Sequence, residues 1–308
     1  MLRAFFVHLS ENRRLRHFAE QSALGQRVSH RFVAGTEIAD AVIATRTVNR
    51  AGMSVSIDNL GENVSNPDEA RHSAGLYHQI LDEIAANRLD ANISLKLTHM
   101  GLDVDDRLAR DLVRGLVTKA ASMNPPCFVR VDMEGSPYTQ RTLDFVHELH
   151  SLPGNQNSVG TVIQSYLKRS EHDVENLLAE RIRIRLCKGA YKEPASIAFE
   201  SKREVDRNYV QLMKTLLKSG VYHGLATHDE NIIREAQAFA KAEKIDRDSF
   251  EFQMLYGIRR DLQQNLVRDG WRMRVYIPFG TEWYPYFMRR LGERPANAVF
   301  IVKNLLRA

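Results

Sequence analysis

Eight short β-prone runs recur along the chain, each parted from the next by a stretch of helical character, and few folds accommodate that order. The runs are SVSIDNLGE from Ser54, NISLKLTHMG from Asn92, CFVRVDME from Cys127, VGTVIQSY from Val159, RIRIRLCKGAY from Arg181, HGLATHDE from His223, FEFQMLYG from Phe250 and MRVYIPFG from Met273. Between them, segments such as ARDLVRGLVTKAA (109–121) and REVDRNYVQLMKTLLKSG (203–220) carry apolar residues at helical spacing. A strand–helix unit repeated eight times predicts a closed (β/α)8 barrel of the TIM type. An open doubly wound sheet is the alternative, and it would usually carry a glycine-rich phosphate loop. Neither G-x-G-x-x-G nor G-x-x-x-x-G-K-[ST] occurs. With no internal repeat, low-complexity segment or Pro/Gly linker, the expected division is an N-terminal helical region (1–50) and a catalytic barrel (51–308), one domain overall. A final helix follows the eighth strand. The 308 residues are ample for a single core.

The charge balance narrows the function. Lys and Arg number 43 against 38 Asp and Glu, a formal +5, and the basic residues are interleaved with acids along the whole chain. That is no footprint for nucleic acid. The two cysteines, Cys127 and Cys187, both lie in apolar strand-like runs and are expected as buried reduced thiols. The apolar stretch Ala4–Leu9 is too short to span a bilayer. Signal-peptide organisation is absent as well, so a cytoplasmic location is expected. The opening MLRAFFVHLSENRRLR reads either as a basic amphipathic helix at a membrane surface or as a helix packed on the body of the protein.

In a (β/α)8 barrel the site lies at the C-terminal ends of the strands. Those ends carry Asp58 and Glu62, Lys96, Asp132 and Glu134, Gln164, Arg185, Lys188 and Tyr191, Thr227, His228 and Asp229, Gln253, and Tyr276. Charged groups inside apolar runs are costly unless paired or bound, so a ring of them points to a site. Lys96, Arg185, Lys188, Arg289 and Arg290 outnumber Asp132 and Glu62, which predicts a cationic pocket for a carboxylate or phosphate. In YIPFGTEWYPYFMRRLGE, residues Tyr286, Arg289, Arg290 and Glu293 fall on one helical stripe, and Trp283, Phe287 and Leu291 on another that reads as the packed face. Two guanidinium forks on one stripe can grip a carboxylate; a surface pair with Glu293 is the plainer reading.

Rival chemistries remain. Lys96 or Lys188 at a strand end could form a Schiff base. A metal hydrolase would need several His and Asp ligands, and only His228–Asp229 stands at a strand end; no metal site is expected. His147 and His150 fall on a helix and are expected to face solvent. A non-enzymatic binding module gives no reason for polar groups at nearly every strand end.

The motifs taken together resemble those of the proline dehydrogenases. YIPFGTEWYPYFMRRLGE is similar to that family's C-terminal signature and RIRLCKGAY to its strand-5 motif. IDNLGE, SLKLT, VDME, IQSY, LATHD and EFQMLYG are similar to the motifs of strands 1, 2, 3, 4, 6 and 7, in order, so the resemblance covers about residues 50–300. It implies oxidation of L-proline to Δ1-pyrroline-5-carboxylate, the first step of proline catabolism. The hydride passes from proline C5 to N5 of a non-covalent FAD, and the electrons then pass to a quinone-type membrane acceptor through peripheral contact at the inner face of the membrane. It also implies the site. Asp132 and Arg185 match the catalytic positions. Lys96, Leu255, Tyr276, Tyr286, Arg289 and Arg290 match substrate contacts. Met133, Gln164, Lys188, Gly189, Ala190, Tyr191, Thr227, His228, Gln253 and Glu293 match positions around the flavin. Family members bind FAD without a dinucleotide fold, so the missing glycine fingerprint is expected. Glu62, an acid in the loop at the cationic rim, is read as a gate that pairs with Arg289 over bound substrate.

Overall fold

The computed structural model describes residue 22 and residues 31–293, with side chains to residue 288. Eight parallel strands close into one barrel in sequence order: β1 Ser54–Asn59, β2 Ala91–Leu95, β3 Val129–Val131, β4 Val159–Gln164, β5 Arg183–Cys187, β6 His223–Ala226, β7 Phe250–Leu255 and β8 Met273–Phe279. All eight expected strands are present. The described helices are α1 Ile38–Arg50, α2 Pro67–Ala86, α3 Asp106–Ser122, α4 Ser136–Ser151, α5 Ser170–Ala179, α6 Lys202–Lys218, α7 Glu230–Ala242, α8 Arg260–Arg268 and α9 Trp283–Glu293. Most of the N-terminal helical region expected over 1–50 lies outside the described residues. Within it, α1 is observed.

Local chemistry sets the helix starts. Asn66 caps α2 by accepting from the amides of Asp68 and Glu69, with Pro67 at the first turn, where a missing N–H costs nothing. Asp229 caps α7 through the Asn231 amide, which fixes the β6–α7 loop at the barrel mouth.

The position of α1 shapes the site. Its Ala41, Ala44 and Val48 join the main core, and it packs on β1 and β8. A helix from before the first strand thus covers the outside of the β8–β1 seam. The segment leading into it is tied to the mouth: the Ala34 amide donates to Pro278 O and the Gly280 amide to Gly35 O, each at 2.9 Å. The helix after β8 does not share that seam. Instead, Trp283, Tyr284 and Tyr286 of α9 form a separate buried cluster with Val33 and with Leu60, just past β1. Tyr284 and Tyr286 are therefore packed as well as Trp283, while Phe287 is only half-buried. The packed face is wider than the Trp283–Phe287–Leu291 stripe expected from spacing, and Leu291 lies beyond the described side chains.

Strand alternation sorts the barrel interior into polar tiers. Tier by tier from the N-terminal end, β3 contributes Arg130 and then Asp132, β5 Arg183 then Arg185, β7 Glu251 then Gln253, and β8 Arg274 then Tyr276. Gly224 on β6 belongs here because the Gln253 side chain occupies the place of its missing Cβ, 2.3 Å away. Neither cysteine is in a disulfide: Cys127 is buried, with its thiol pushed up to about 11 by that burial, and Cys187 is half-buried at the end of β5. His150 is buried rather than exposed, and His147 lies 2.8 Å from Glu180, because α4 turns both towards neighbouring structure.

Candidate active site

Arg185 stands at the centre of the barrel's middle tier, only 6% exposed. Its donors reach four strands. Nε donates to Gln253 Oε1 at 2.6 Å, one terminal nitrogen donates to Asp132 Oδ1 at 2.8 Å and Ser94 Oγ at 3.1 Å, and the other to Ser56 Oγ at 3.1 Å. The Arg185 guanidinium carbon also lies 5.1 Å from the centre of the Tyr276 ring. Asp132 is held from three sides, since Ser94 Oγ donates to its Oδ1 at 2.7 Å and the Tyr276 hydroxyl to its Oδ2 at 3.0 Å. A buried guanidinium with this many acceptors is fixed in position as well as in charge. Burial raises the Tyr276 phenol far above its ordinary value, and the nearby Asp132 and Asp58 charges reinforce this, so it acts as a hydroxyl donor.

Asp58 is 2% exposed, and its Oδ1 lies 3.2 Å from the Tyr77 hydroxyl oxygen. Burial raises its pKa, with Lys96 opposing and Asp132 adding to the rise. Tyr77, from α2, donates to Ser94 O at 2.8 Å and so braces β2 beneath the site. Glu134 is buried beyond β3 and accepts from both the amide and hydroxyl of Thr98. Burial raises its pKa also, against the pull of Thr98.

The charge of the rim differs from the sequence count. Lys96 faces Glu62 at 3.5 Å, Arg185 is bonded to Asp132, and Lys188 lies between Asp206 at 2.5 Å and Asp229 at 2.9 Å. Each expected cation among the described residues has an acid beside it. Asp206 comes from a helix outside the strand runs, and Asp229, at the end of the sixth run, was left out of the charge count. The net positive balance expected at the mouth thus falls to Arg289 and Arg290. Those two and Glu293 lie outside the described side chains, as does the contact proposed between Glu62 and Arg289.

The remaining expected residues ring the same mouth. Gln164, at the end of β4, donates through Nε2 to Met133 O at 3.0 Å and Glu134 O at 3.1 Å. Its Oε1 is buried and has no hydrogen-bond partner among the described residues. Thr227 is buried, and its Oγ1 accepts from the Asp229 amide. His228 Nε2 accepts from the Leu255 amide at 3.1 Å, which leaves the ring proton of the neutral imidazole on Nδ1. Gly189 has φ +107°, and a Cβ there would fall 2.2 Å from the Tyr166 ring, so only glycine lets the β5 loop pass. Ala190 and Tyr191 continue that loop. Ser56, Ser94 and Tyr77 were absent from the sequence reading. Ser56 and Ser94 sit at the alternate positions of SVSID and NISLK, a weak period-2 signal; Tyr77 gives none.

This fold defines a (β/α)8-barrel enzyme with an Arg–Asp–Tyr cluster at the C-terminal ends of its strands, in which Arg185 is buried and Asp132 and Tyr276 are partly exposed. The family model described as proline dehydrogenase matches residues 41–303. The chain belongs to the proline dehydrogenase family. It is 41% identical over 308 residues to proline dehydrogenase 1 of Bacillus subtilis subsp. natto, covering 100% of each chain. It is 40% identical over 283 residues to the proline dehydrogenase of Deinococcus radiodurans, covering 91% of this chain and 90% of that one. Among solved structures, proline utilization A from Bdellovibrio bacteriovorus superposes with a TM-score of 0.80 at 25% identity, over 87% of this chain. The chain spans 32% of that longer one. Among the described residues no helix is long and apolar enough to cross a membrane.

Proposed function

We propose that this chain is an FAD-dependent dehydrogenase that oxidises L-proline to Δ1-pyrroline-5-carboxylate. The observation that carries the reading is the convergence of Arg185, Asp132 and Tyr276 beneath the mouth, with their bonds to Ser56, Ser94 and Gln253. Non-covalent FAD, when bound, would supply the acceptor for the hydride from proline C5, the proton leaving the amine nitrogen as the imine forms, and a quinone-type partner reached by peripheral contact with a membrane would take the electrons.

The residues present fit a flavin. The unpartnered Gln164 Oε1 is an acceptor suited to an imide N–H, and the strand-5 loop at Gly189 is packed against the Tyr166 ring, which fixes its backbone at the edge of the mouth. Met133, Gln164, Lys188, Gly189, Ala190, Tyr191, Thr227, His228, Gln253 and Glu293 would hold the group. Lys188 has two acids on its ammonium, which leaves one of its three donors for a phosphate or ribityl oxygen.

Lys96, Arg289 and Arg290 hold the substrate carboxylate, and Leu255, Tyr276 and Tyr286 wall the ring. Binding lets the substrate carboxylate compete with Glu62 for Lys96, and Glu62 then turns to Arg289 and closes the mouth. Tyr276 is kept rigid by its bond to Asp132, which orients the ring. Arg185 places a fixed positive charge where negative charge builds during oxidation. The test is an anaerobic absorbance spectrum: yellow protein that bleaches with L-proline. Colourless protein, or a flavin that L-proline does not bleach, defeats the reading.

A further inference from the structure

The N-terminal end of the barrel carries a second concentration of positive charge, remote from the mouth. The lowest interior tier holds Arg130, Arg183 and Arg274 together with the carboxylate of Glu251. Glu251 is engaged by Arg274 Nε at 2.7 Å. The other guanidiniums stack on rings. Arg130 and Arg183 lie 4.6 Å and 4.3 Å from the Phe128 ring centre, and Arg183 and Arg272 lie 4.7 Å and 5.3 Å from that of Tyr222. Arg130, Phe128, Arg183, Tyr222 and Arg272 thus form a cation–π ladder leading from the barrel interior to its surface.

The ladder ends at a cavity of about 580 Å³ lined by Arg183, Arg272, Arg274 and Tyr222, among others. The acids on its wall are Glu180, already beside His147 at 2.8 Å, and Asp248. Helix C-termini face this end of a (β/α)8 barrel and can explain some cations there. Arg181 follows that pattern by donating to Gly220 O. Arg183 and Arg272 do not: among the described residues neither has a carboxylate or carbonyl partner, and Arg183 Nε is buried without a hydrogen bond. Burial, and then repulsion from Arg274 and Arg272, push the Arg183 guanidinium below its ordinary value in spite of Glu251. Planar donors crowded together without an acceptor match the oxygens of a phosphate.

We propose that this cavity is an anion site that takes a phosphate group on the unpaired guanidinium edges of Arg183 and Arg272, separate from the site at the mouth. The source of the group is either inorganic phosphate or a nucleoside monophosphate. Equilibrium dialysis of the holoenzyme with labelled inorganic phosphate, at ionic strength matched with chloride, should give one saturable site per chain. Arg272→Met should weaken binding at least tenfold and leave proline oxidation in phosphate-free buffer unchanged, and Arg183→Met should do the same where it folds. Displacement by AMP at tenfold lower concentration than by unlabelled phosphate would identify the nucleotide as the source, and weaker displacement the free ion. No saturable phosphate binding over chloride, or affinity that Arg272→Met leaves within twofold, overturns the proposal.

Discussion

Replacing Glu251 by glutamine tests whether the polar interior is held by charge. Glu251 is 2% exposed and accepts from Arg274 Nε at 2.7 Å, the Tyr222 hydroxyl at 2.8 Å and Gln253 Nε2 at 2.6 Å. Burial alone would raise its pKa, but the Arg274 charge and these donors outweigh burial and hold it at about 2, against an ordinary 4.5. A displacement of that size corresponds to about 3 kcal/mol of stability. The folded-state value lies below the unfolded one. The stabilisation is therefore complete above pH 4.5 and drains away as pH falls towards 2. Glutamine keeps the shape and an acceptor for Gln253, but it leaves Arg274 as an uncompensated buried charge, a change that typically costs about 3–5 kcal/mol. For a chain of this length the loss corresponds to a melting temperature lower by roughly 5–8 °C at pH 7. Calorimetry of wild type and Glu251→Gln across pH 3 to 7 should show the gap narrowing as the solution is acidified. Equal melting temperatures at pH 7, or a gap that does not change with pH, would refute the reasoning.

Tyr276→Phe removes the 3.0 Å bond to Asp132 while keeping the ring, and should lower kcat/KM for proline about 10- to 100-fold with FAD content unchanged, as steady-state kinetics and the flavin-to-protein absorbance ratio will tell. Gly189→Ala forces a Cβ into the Tyr166 ring at φ +107°, so purified protein should carry markedly less flavin; full flavin occupancy would count against the cradle. Glu62→Ala removes the acid that closes the mouth over bound substrate, so the proline KM should rise severalfold without loss of flavin, and unchanged steady-state constants would sink the gate.

The strands were legible because each is a short apolar run between helical stretches, and parallel strands in a barrel need just that sequence. The site was partly legible for a related reason: Lys96, Asp132, Arg185, Gln253 and Tyr276 are polar where apolar residues are the rule. Ser56 and Ser94 escaped because a small hydroxyl in a strand is unremarkable until Arg185 is seen to bond to both. The charge balance differs because the count weighed neither Asp229, at the end of the sixth run, nor Asp206, which α6 brings to Lys188. Likewise, spacing on α9 gave one packed stripe, whereas Val33 and Leu60 meet it across a wider face. His150 looked like an ordinary helical surface histidine because one helix's periodicity says nothing of what lies against it.

Closure of the ring sets a timetable for synthesis. β1 pairs with β8 from Ser54–Arg274 to Asn59–Phe279, and Arg274 donates to Val55 O across a separation of 219 residues. At the usual translation rates of roughly 5–20 residues per second, β1 waits about 10–45 s for its second neighbour. For that interval the nascent chain exposes an unpaired strand edge with its apolar residues. The cell must shelter an incomplete sheet, and a ribosome stalled before residue 273 would release a chain that no local rearrangement can close.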